Sequence, residues 1–437
     1  TTITGSFSSV GGTFAHNNAT VLFDASSAKT ISASGTPFTN AFYNLRFTGS
    51  GSWVFLDTNA TTSNDFFITQ GSVTMPNTTL VVGGSFVNSG GTFSHNSGTI
   101  RFTGTSARTI DTNASFYSLS FNGVAGSWSL IDSSVTVLNN LTTATGSLML
   151  PSSTLTLGGS LANTATLTHN SGTVLFNATT SGKTVNTGSS TLYNMTFNST
   201  TGGWTITGNA TTSNNVTLTS ASAFTLSSSL TLAVGGTFTN SVGGASTTWT
   251  GSTLSLEAGN YSINTKTNAG DIYETLRIKA NTDIQMWNST GTVYTIDTTS
   301  SLYSQDHNGA DGDLYIFGEY VRTSGTEYWS YGTDFDGTVL STSTSRQVDV
   351  RFASGTAAVF GTTTLAIVGT TTASTTIANQ GVGTYTLMVR NGTTTASYYD
   401  FSNLGTVKLN KSDHAFKRKI YPRNGIRYCT YGLFFND

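Results

Sequence analysis

The chain has 437 residues, of which only 9% are charged, and its formal net charge at pH 7 is −2. A near-neutral chain has no counterion-release drive toward nucleic acid, and no apolar run approaches the roughly 18–20 residues that a membrane span needs. Abundant aromatic and β-branched residues with only four prolines favour a folded, almost purely β protein over a disordered one.

The chain starts at Thr1 and has one cysteine, Cys429. One cysteine cannot build a disulfide framework within the chain, so stability must come from backbone hydrogen bonds and a packed core. The sequence shows neither an initiator methionine nor a signal peptide, which suits a processed or truncated product.

The first half of the chain repeats itself. Four markers return in one order: a GGTFxHN string, an FYxLxF string, a tryptophan and a GGSF string. Their copies begin at residues 11, 90 and (weaker) 165; at 42, 116 and 192; at Trp53, Trp128 and Trp204; and at 83, 158 and 235. Four markers in the same order predict a repeat protein with units of about 75 residues.

Each repeat contains short runs in which apolar and polar residues alternate, such as TLTL at residues 154–157. Bounded by Gly, Asn and Ser, these runs predict strands with aliphatic and Phe side chains inside and Thr, Ser and Asn outside. At on the order of 20–25 residues per turn, a repeat would hold about three turns. The predicted fold is all-β, a right-handed parallel β-helix or β-solenoid. Tandem β-sandwich domains are the alternative.

The N-terminal residues enter a repeat part-way, because GSFSSVGG at residues 5–12 aligns with GSFVNSGG at residues 84–91. A solenoid that starts there has a strand edge with unpaired N–H and C=O groups unless something caps it. The cap is either residues missing from this sequence or the next molecule of a fibre. The second possibility predicts a homopolymer joined through the N-terminal β-edge.

The recurring histidines His16, His95 and His169 stand in His-Asn turns. About three turns of chain separate neighbouring copies, so they lie too far apart to share a metal ion, and turn chemistry explains them better. The three recurring tryptophans would stack on sugars if they were exposed. One tryptophan per repeat at a fixed place is more typical of core or corner packing.

Parallel β-helices also include polysaccharide lyases and hydrolases, and a glycoside hydrolase needs two carboxylates at close range. The aspartates of the repeat region do not recur as a cluster; they are Asp24, Asp57, Asp65, Asp111 and Asp132. We therefore expect no enzyme, and a carbohydrate-active enzyme is the least favoured function.

The composition changes along the chain and predicts three segments. Residues 1–248 hold the repeats, residues 249–407 are more charged and aromatic with further β-structure, and residues 408–437 form a basic tail with seven Lys or Arg and two Asp. The middle segment is either continued solenoid or a second β-domain. The tail binds an acidic surface, is poorly ordered, or results from a translation artefact such as a frameshift.

An acidic, glycine-rich stretch in the middle segment gives the one candidate for a cofactor site. Closely spaced carboxylate and amide oxygens suit Ca²⁺, and the predicted ligands are Asp306, Asn308, Asp311 and Asp313. The spacing departs from an EF-hand loop because position five is Ala310 and no Glu closes the site. A solvated acidic loop is the alternative.

A second candidate site follows in the aromatic stretch EYWSY at residues 327–331, where Trp329 and Tyr331 are predicted binding residues. Their expected ligand would be a surface glycan.

The marker strings resemble the repeats of large bacterial surface proteins known mostly from environmental genomes. DLYIFGEY at residues 313–320 resembles a segment that often follows such repeats, so the resemblance covers roughly residues 1–405 and leaves out the tail. It implies a secreted, cell-surface β-helical protein and no particular activity. The expected function is an extracellular structural protein, a subunit of a fibre, sheath or surface layer. The alternative is an adhesin or glycan-binding stalk whose binding end is residues 250–405.

Overall fold

The structure is a computed structural model that describes residues 1–10, 14–33, 42–242 and 246–257 in full. Beyond residue 257 it describes the backbone of the strands given below and residues 383, 384 and 402, with side chains at 377, 383, 384, 387, 401 and 402. Two compact units are present, Thr1–Thr211 (unit 1) and Thr212–Asp437 (unit 2).

Unit 1 is built from short strands. In chain order they are β1 Thr2–Ile3, β2 Phe7–Ser8, β3 Thr20–Phe23, β4 Lys29–Ser32, β5 Asn44–Phe47, β6 Ser52–Phe55, β7 Asn59–Thr62, β8 Phe66–Ile68, β9 Ser72–Thr74, β10 Thr79–Val82, β11 Phe86–Asn88, β12 Thr92–Ser94, β13 Thr99–Phe102, β14 Ala107–Asp111, β15 Ser118–Leu130, β16 Ser134–Val137, β17 Leu141–Met149, β18 Thr154–Leu157, β19 Leu161–Asn163, β20 Thr166–Thr168, β21 Thr173–Phe176, β22 Lys183–Asn186, β23 Thr191–Leu192, β24 Asn194–Asn198, β25 Gly203–Ile206 and, across the unit boundary, β26 Ala210–Thr212.

The described turns of unit 1 distribute their strands over three faces, and neighbouring turns pair in parallel. Face 1 contains β1, β3, β5, β8, β11, β14, the second halves of β15 and β17, and β20. Face 2 contains β2, β4, β6, β9 and β12, then β16, β18, β21 and β24. Face 3 contains β7, β10, β13, the first halves of β15 and β17, β19, β22 and β25.

The predicted fold is confirmed: the protein is all-β, and its stacked parallel strands form a right-handed β-solenoid. Tandem β-sandwiches are excluded because sandwich sheets pair antiparallel strands, whereas the ladders described here are parallel. The turn that separates the register partners Thr154 and Thr173 is shorter than the turn that separates Thr20 and Asn44. Turn length therefore varies, and the corners absorb the variation.

The sequence repeat and the solenoid turn differ in length. The strand that follows the GGTFxHN marker forms β3 on face 1, β13 on face 3 and β21 on face 2. The prediction of three turns per repeat is therefore wrong, since the chain from Thr20 to Thr99 makes about three and two-thirds turns. Each repeat moves its markers one face around the solenoid.

The core follows from the period-2 alternation of the strands. In β18 the side chains of Leu155 and Leu157 are buried, while Thr154 and Thr156 are half-buried on the outside. Phenylalanine rings of neighbouring turns stack inside at centroid distances of 4.6 to 5.2 Å, and such offset stacks add to the stability gained from burial. The stacked pairs are Phe23 with Phe47, Phe102 with Phe121, and Phe176 with Phe197.

Buried asparagines connect adjacent turns at corresponding corners. The Asn163 amide donates to the carbonyl oxygen of Thr187 at 2.7 Å, and its own oxygen accepts from the Ala165 N–H at 3.1 Å. Asn88, one repeat earlier, donates to the Asn113 side chain at 2.6 Å and accepts from Gly91 N–H. These bonds satisfy polar groups that would otherwise be costly to bury.

Unit 2 has the same construction. Its strands are β27 Val216–Ser220, β28 Ala223–Leu226, β29 Thr231–Val234, β30 Phe238–Asn240, β31 Thr247–Thr248, β32 Thr253–Leu256, β33 Tyr261–Asn264, β34 Thr275–Ile278, β35 Ile284–Trp287, β36 Val293–Ile296, β37 Ser301–Asp306, β38 Leu314–Phe317, β39 Glu319–Tyr331, β40 Asp349–Phe352, β41 Ala357–Val368, β42 Thr375–Asn379, β43 Tyr385–Val389, β44 Thr393–Ser397, β45 Tyr399–Phe401, β46 Leu404–Leu409 and β47 Phe434–Phe435.

Two long parallel rows carry most of unit 2. One runs β29, β32, β34, β37, β39, β41, β43 and β46, and the other runs β33, β35, β38, β40, β42 and β45. Trp249 is buried at the start of this unit, with its ring 5.4 Å from that of Phe224. The segment boundaries at 248/249 and 407/408 rest on composition and stay predictions. Among the described residues there is no helix with the length and hydropathy that crossing a bilayer requires.

Candidate functional site

Of the four predicted calcium ligands, Asp306 is the one whose backbone lies among the described residues. The backbone of Asp306 forms the last residue of β37, whereas Asn308, Asp311 and Asp313 fall outside the described residues. Among the residues that are described, three or more His, Cys, Asp or Glu side chains do not come together as a metal site would require. The calcium site therefore stays a prediction.

The backbone register connects the acidic stretch to the aromatic one. Tyr331 is the register partner of Asp306, and Trp329 lies beside Ser304 on one edge and Ile367 on the other. Asp306, the one described residue of the predicted calcium site, thus lies on the strand next to that of Tyr331 in unit 2. The side chains of Trp329 and Tyr331 are outside the described set, so their role as binding residues stays a prediction.

The three recurring tryptophans are core residues. Trp53, Trp128 and Trp204 are at most 1% exposed, and each packs against a phenylalanine of the marker strands at centroid distances of 4.7 to 5.4 Å. The expectation of core packing is confirmed, and sugar stacking by these three rings is excluded by their burial. Their indole N–H groups have no hydrogen-bond partner among the described residues.

The recurring histidines form turns, as expected. In the first copy the Ala19 N–H donates to the His16 carbonyl at 2.8 Å, and Asn17 and Asn18 both have positive φ, which asparagine tolerates well. In the second copy Gly98 N–H donates to the His95 carbonyl at 2.8 Å. The imidazole adds a further bond in each copy, because His16 Nδ1 accepts from the Asn18 N–H at 2.9 Å and His95 Nδ1 from the Ser97 N–H at 3.0 Å.

Each histidine ring also packs on a tyrosine of the next turn. The ring centroids are 5.4 to 5.6 Å apart, with interplanar angles of 25° to 37°. All six rings are partly exposed; the pairs are His16 with Tyr43, His95 with Tyr117, and His169 with Tyr193. In the sequence the histidines and the FYxLxF marker stand apart. The offset between partners, about one turn of chain in every copy, was the signal that could have joined them.

Two aspartates of the repeat region form an acidic pair that does not recur one repeat earlier, where Ser32 stands in the place of Asp111. Asp111 and Asp132 meet on neighbouring turns, each just at or past the end of its face 1 strand. The pKa of Asp111 is raised above its ordinary value, first because partial burial disfavours the carboxylate, then because of the negative charge of Asp132, and last because the two side chains share a hydrogen bond.

The acidic pair has a structural explanation. Asp132 Oδ2 accepts the Thr112 N–H at 2.7 Å, just as Asp57 one repeat earlier accepts the Ala33 N–H at 2.5 Å. These bonds join one turn to the next.

Comparison with known proteins found no matching family model, no matching curated protein and no matching solved structure. The fold is nevertheless established by the parallel ladders themselves. Function has to be argued from the geometry of the described residues, because a solenoid fold alone does not specify what a protein does.

Proposed function

We propose that the chain is an extracellular structural protein of a cell surface, and that it serves as a scaffold subunit of a fibre, sheath or surface layer. The observation that carries the proposal is the construction of unit 1: three parallel ladders with a buried aromatic and aliphatic interior and an outer surface of Thr, Ser and Asn. The resemblance of the marker strings to repeats of bacterial surface proteins supports the location.

This construction suits a mechanical role. Every turn is hydrogen-bonded to its neighbours on several strands, so a force along the axis is shared between backbone bonds on three faces. Stacked rings such as Phe66 and Phe86, 5.3 Å apart and nearly parallel, fill the interior between turns. The protein thereby gains stiffness without disulfides, which a chain with one cysteine cannot use internally.

The first turn of unit 1 offers a surface for assembly. Leu22 N–H donates to the Thr1 carbonyl at 2.8 Å and Asp24 N–H to the Ile3 carbonyl at 2.9 Å. Because alternate residues of a parallel strand bond to opposite neighbours, the N–H and C=O of Thr2 point away from β3. A strand added on that side of β1 could pair with them.

Apolar side chains lie beside this edge. The rings of Phe7 and Phe14 are partly exposed and pack together at 5.4 Å, and Val10 is 66% exposed. Backbone groups of Thr2 that point away from β3, next to an aromatic cluster, are the two components of the β-edge interface that we propose. We therefore assign the edge to a second copy of the chain, joined head to tail, which generates an open filament.

Electron microscopy and sedimentation of the purified chain test the assembly. The wild type should form filaments as its concentration rises, and Thr2→Pro should abolish them because proline removes the outward N–H without touching the bonds to β3. Thr2→Val keeps that N–H and should still assemble. A wild type that stays monomeric at all concentrations, or a Thr2→Pro variant that assembles normally, would contradict the proposal.

An adhesin or glycan-binding stalk is the second candidate function. It is favoured by one observation, the register of Asp306 with Tyr331, which places one predicted calcium ligand on the strand beside one predicted binding residue. A glycan array probed with the full chain tests it. Binding that disappears in Trp329→Ala and Tyr331→Ala supports the adhesin, and an array without any signal argues for the purely structural role.

A further inference from the structure

We name the three His–Tyr pairs of unit 1 the ring corners. Their rings stay paired even though the geometry of the turn differs between copies. In the first two copies both central turn residues have positive φ, whereas in the third copy only Ser171 does. The Nδ1 contact also lengthens there, to 3.4 Å between His169 and the Ser171 N–H. The ring pair is nevertheless retained, with His169 and Tyr193 5.6 Å apart. Ring pairing thus persists where turn geometry changes.

The hydrogen bond to Nδ1 also fixes what each imidazole presents. A nitrogen that accepts a backbone N–H carries no proton, so the proton of a neutral imidazole is on Nε2. His16 and His95 are thus held in the tautomer whose Nε2 is a donor. This tautomer lacks the Nε2 lone pair that a metal would bind, but it can donate to a hydroxyl or ether oxygen.

Each ring corner combines two partly exposed aromatic rings with the polar groups of a turn, and the first two add an N–H donor. Neutral sugars present the complementary chemistry: C–H faces that pack on aromatic rings, and oxygens that accept hydrogen bonds. Tyrosine suits such contacts because its ring offers a large, rigid and amphipathic surface at low entropic cost. We propose that the ring corners are binding sites for an uncharged polysaccharide, a role that rests on the proposed scaffold function and names its partner.

The positions of the ring corners determine what binding would achieve. His16 and Tyr43 lie between faces 3 and 1, His95 and Tyr117 between faces 2 and 3, and the third pair between faces 1 and 2. Successive ring corners are about 18 Å apart along the axis at ~4.8 Å per turn. One straight glycan cannot follow all three corners, so each corner takes a separate chain. The scaffold then cross-links polysaccharide on three sides.

Fluorescence anisotropy of labelled cellohexaose, chitohexaose and mannohexaose tests the binding, because it responds whether or not the protein is assembled. At least one probe should bind the full chain, with sulfated heparin hexasaccharide as the charged comparison. The chain is tested up to about 0.1 mM, enough to detect a Kd of about 1 mM or tighter. Absence of binding to all three neutral probes would overturn the proposal.

Matched variants assign the binding to the ring corners. Replacing Tyr43, Tyr117 and Tyr193 together by Ala should abolish it, whereas replacing them by Phe should preserve most of it. Replacing the three histidines by Asn keeps a side-chain oxygen for the turn N–H and should weaken binding at least tenfold with an unchanged Tm. Binding that survives the Tyr→Ala changes would place the site elsewhere and refute the assignment.

Cross-linking is tested with a long neutral glucan in place of the short probes. The measurement uses the Thr2→Pro background, which should not form filaments. There the chain with three ring corners should raise the viscosity of the solution, and a variant with one intact ring corner should bind the probe yet leave the viscosity unchanged. The background separates this readout from filament formation. Failure of the glycan proposal is therefore distinguishable from failure of the scaffold proposal.

Discussion

Buried side chains of unit 1 can be compared with their own counterparts one repeat away. Thr62 and Val137 occupy the same repeat position, and both are completely buried. The Thr62 hydroxyl has no hydrogen-bond partner among the described residues, whereas the hydroxyl of Thr212, the next counterpart, donates to the Asn214 carbonyl at 3.0 Å. Val137 therefore shows that an apolar side chain of the same shape fits the repeat position at which the Thr62 hydroxyl is unpaired.

We expect Thr62→Val to stabilise the protein by about 1 kcal/mol, because it removes an unpaired buried hydroxyl while keeping the shape of the side chain. Urea denaturation followed by circular dichroism measures the change. Thr212→Val is the matched control and should destabilise the protein, since it removes the hydrogen bond that the Thr212 hydroxyl donates to the Asn214 carbonyl. Equal effects of the two substitutions would show that the hydroxyls are not in different environments.

The acidic pair offers a second comparison within the chain. Ser32 and Asp57 occupy the positions of Asp111 and Asp132 one repeat earlier, and the Ser32 hydroxyl donates to Asp57 at 3.3 Å. Repeat 1 thus places a donor where repeat 2 places a second acid. The raised pKa of Asp111 means that the folded state holds this proton more tightly than the unfolded state does. Its stabilising contribution is present at low pH and is lost as pH rises through the raised pKa.

Asp111→Ser should therefore be more stable than the wild type at pH 7, and the difference should vanish by about pH 3, where Asp is protonated in both states. Melting temperatures across this pH range test the sign. Ser32→Asp builds the same pair in repeat 1 and should acquire a penalty that grows with pH. A pH-independent effect of either substitution would rule out the electrostatic explanation.

At the scale of strands and corners, close stacking restricts certain glycine positions. A Cβ placed on Gly126 would overlap the Gly104 carbonyl oxygen of the preceding turn and the ring of Trp128. Gly202 stands in the same relation to Ala178 and Trp204, so the glycine two residues before each of these tryptophans admits no side chain. The short distance between turns, and not the backbone conformation, excludes a side chain at these positions, since neither glycine has a positive φ.

Gly126→Ala should cost on the order of 1–3 kcal/mol through overpacking, with loss of the near-ultraviolet dichroism of the buried tryptophans. Gly5 is the control, because a Cβ there would meet nothing within 4 Å. Gly5→Ala should change stability by no more than about 0.5 kcal/mol. Tolerance of alanine at both positions would mean that the turns can separate without cost.

The strands were predictable because their alternation is local. Leu155 and Leu157 point inward because alternate side chains of the TLTL strand face the core. The histidine turns follow from the ability of Asn and Ser to adopt a positive φ. The contacts between turns were not predictable in the same way. They depend on turn lengths that vary along the chain, so the meeting of Asp111 with Asp132 could not be fixed before the register was known. Residues 307–313, with most of the calcium ligands, remain a prediction.

At the scale of the whole molecule, the structural unit is the turn and not the sequence repeat. Thr79 and Thr99 are register partners, so residues 79–98 form one complete turn. Removing them joins equivalent positions on face 3 and preserves the face of every later strand. Removing residues 79–88 joins positions on different faces and exposes side chains that were buried.

We expect the deletion of residues 79–98 to give a soluble protein with an unchanged β-type circular dichroism spectrum and cooperative unfolding. The shorter deletion, of residues 79–88, should aggregate or unfold although it removes half as much of the chain. Far-ultraviolet dichroism and size-exclusion chromatography compare the two. If the shorter deletion were the better tolerated, stacking by complete turns could not be the organising rule.

Because a sequence repeat is not a whole number of solenoid turns, the number of repeats determines the face on which a later copy lies. One repeat gained or lost within unit 1 would move each later copy of a marker by one face, while a block of three would return it to its original face. A change in repeat number would thereby also change the side of the solenoid on which a given copy is presented.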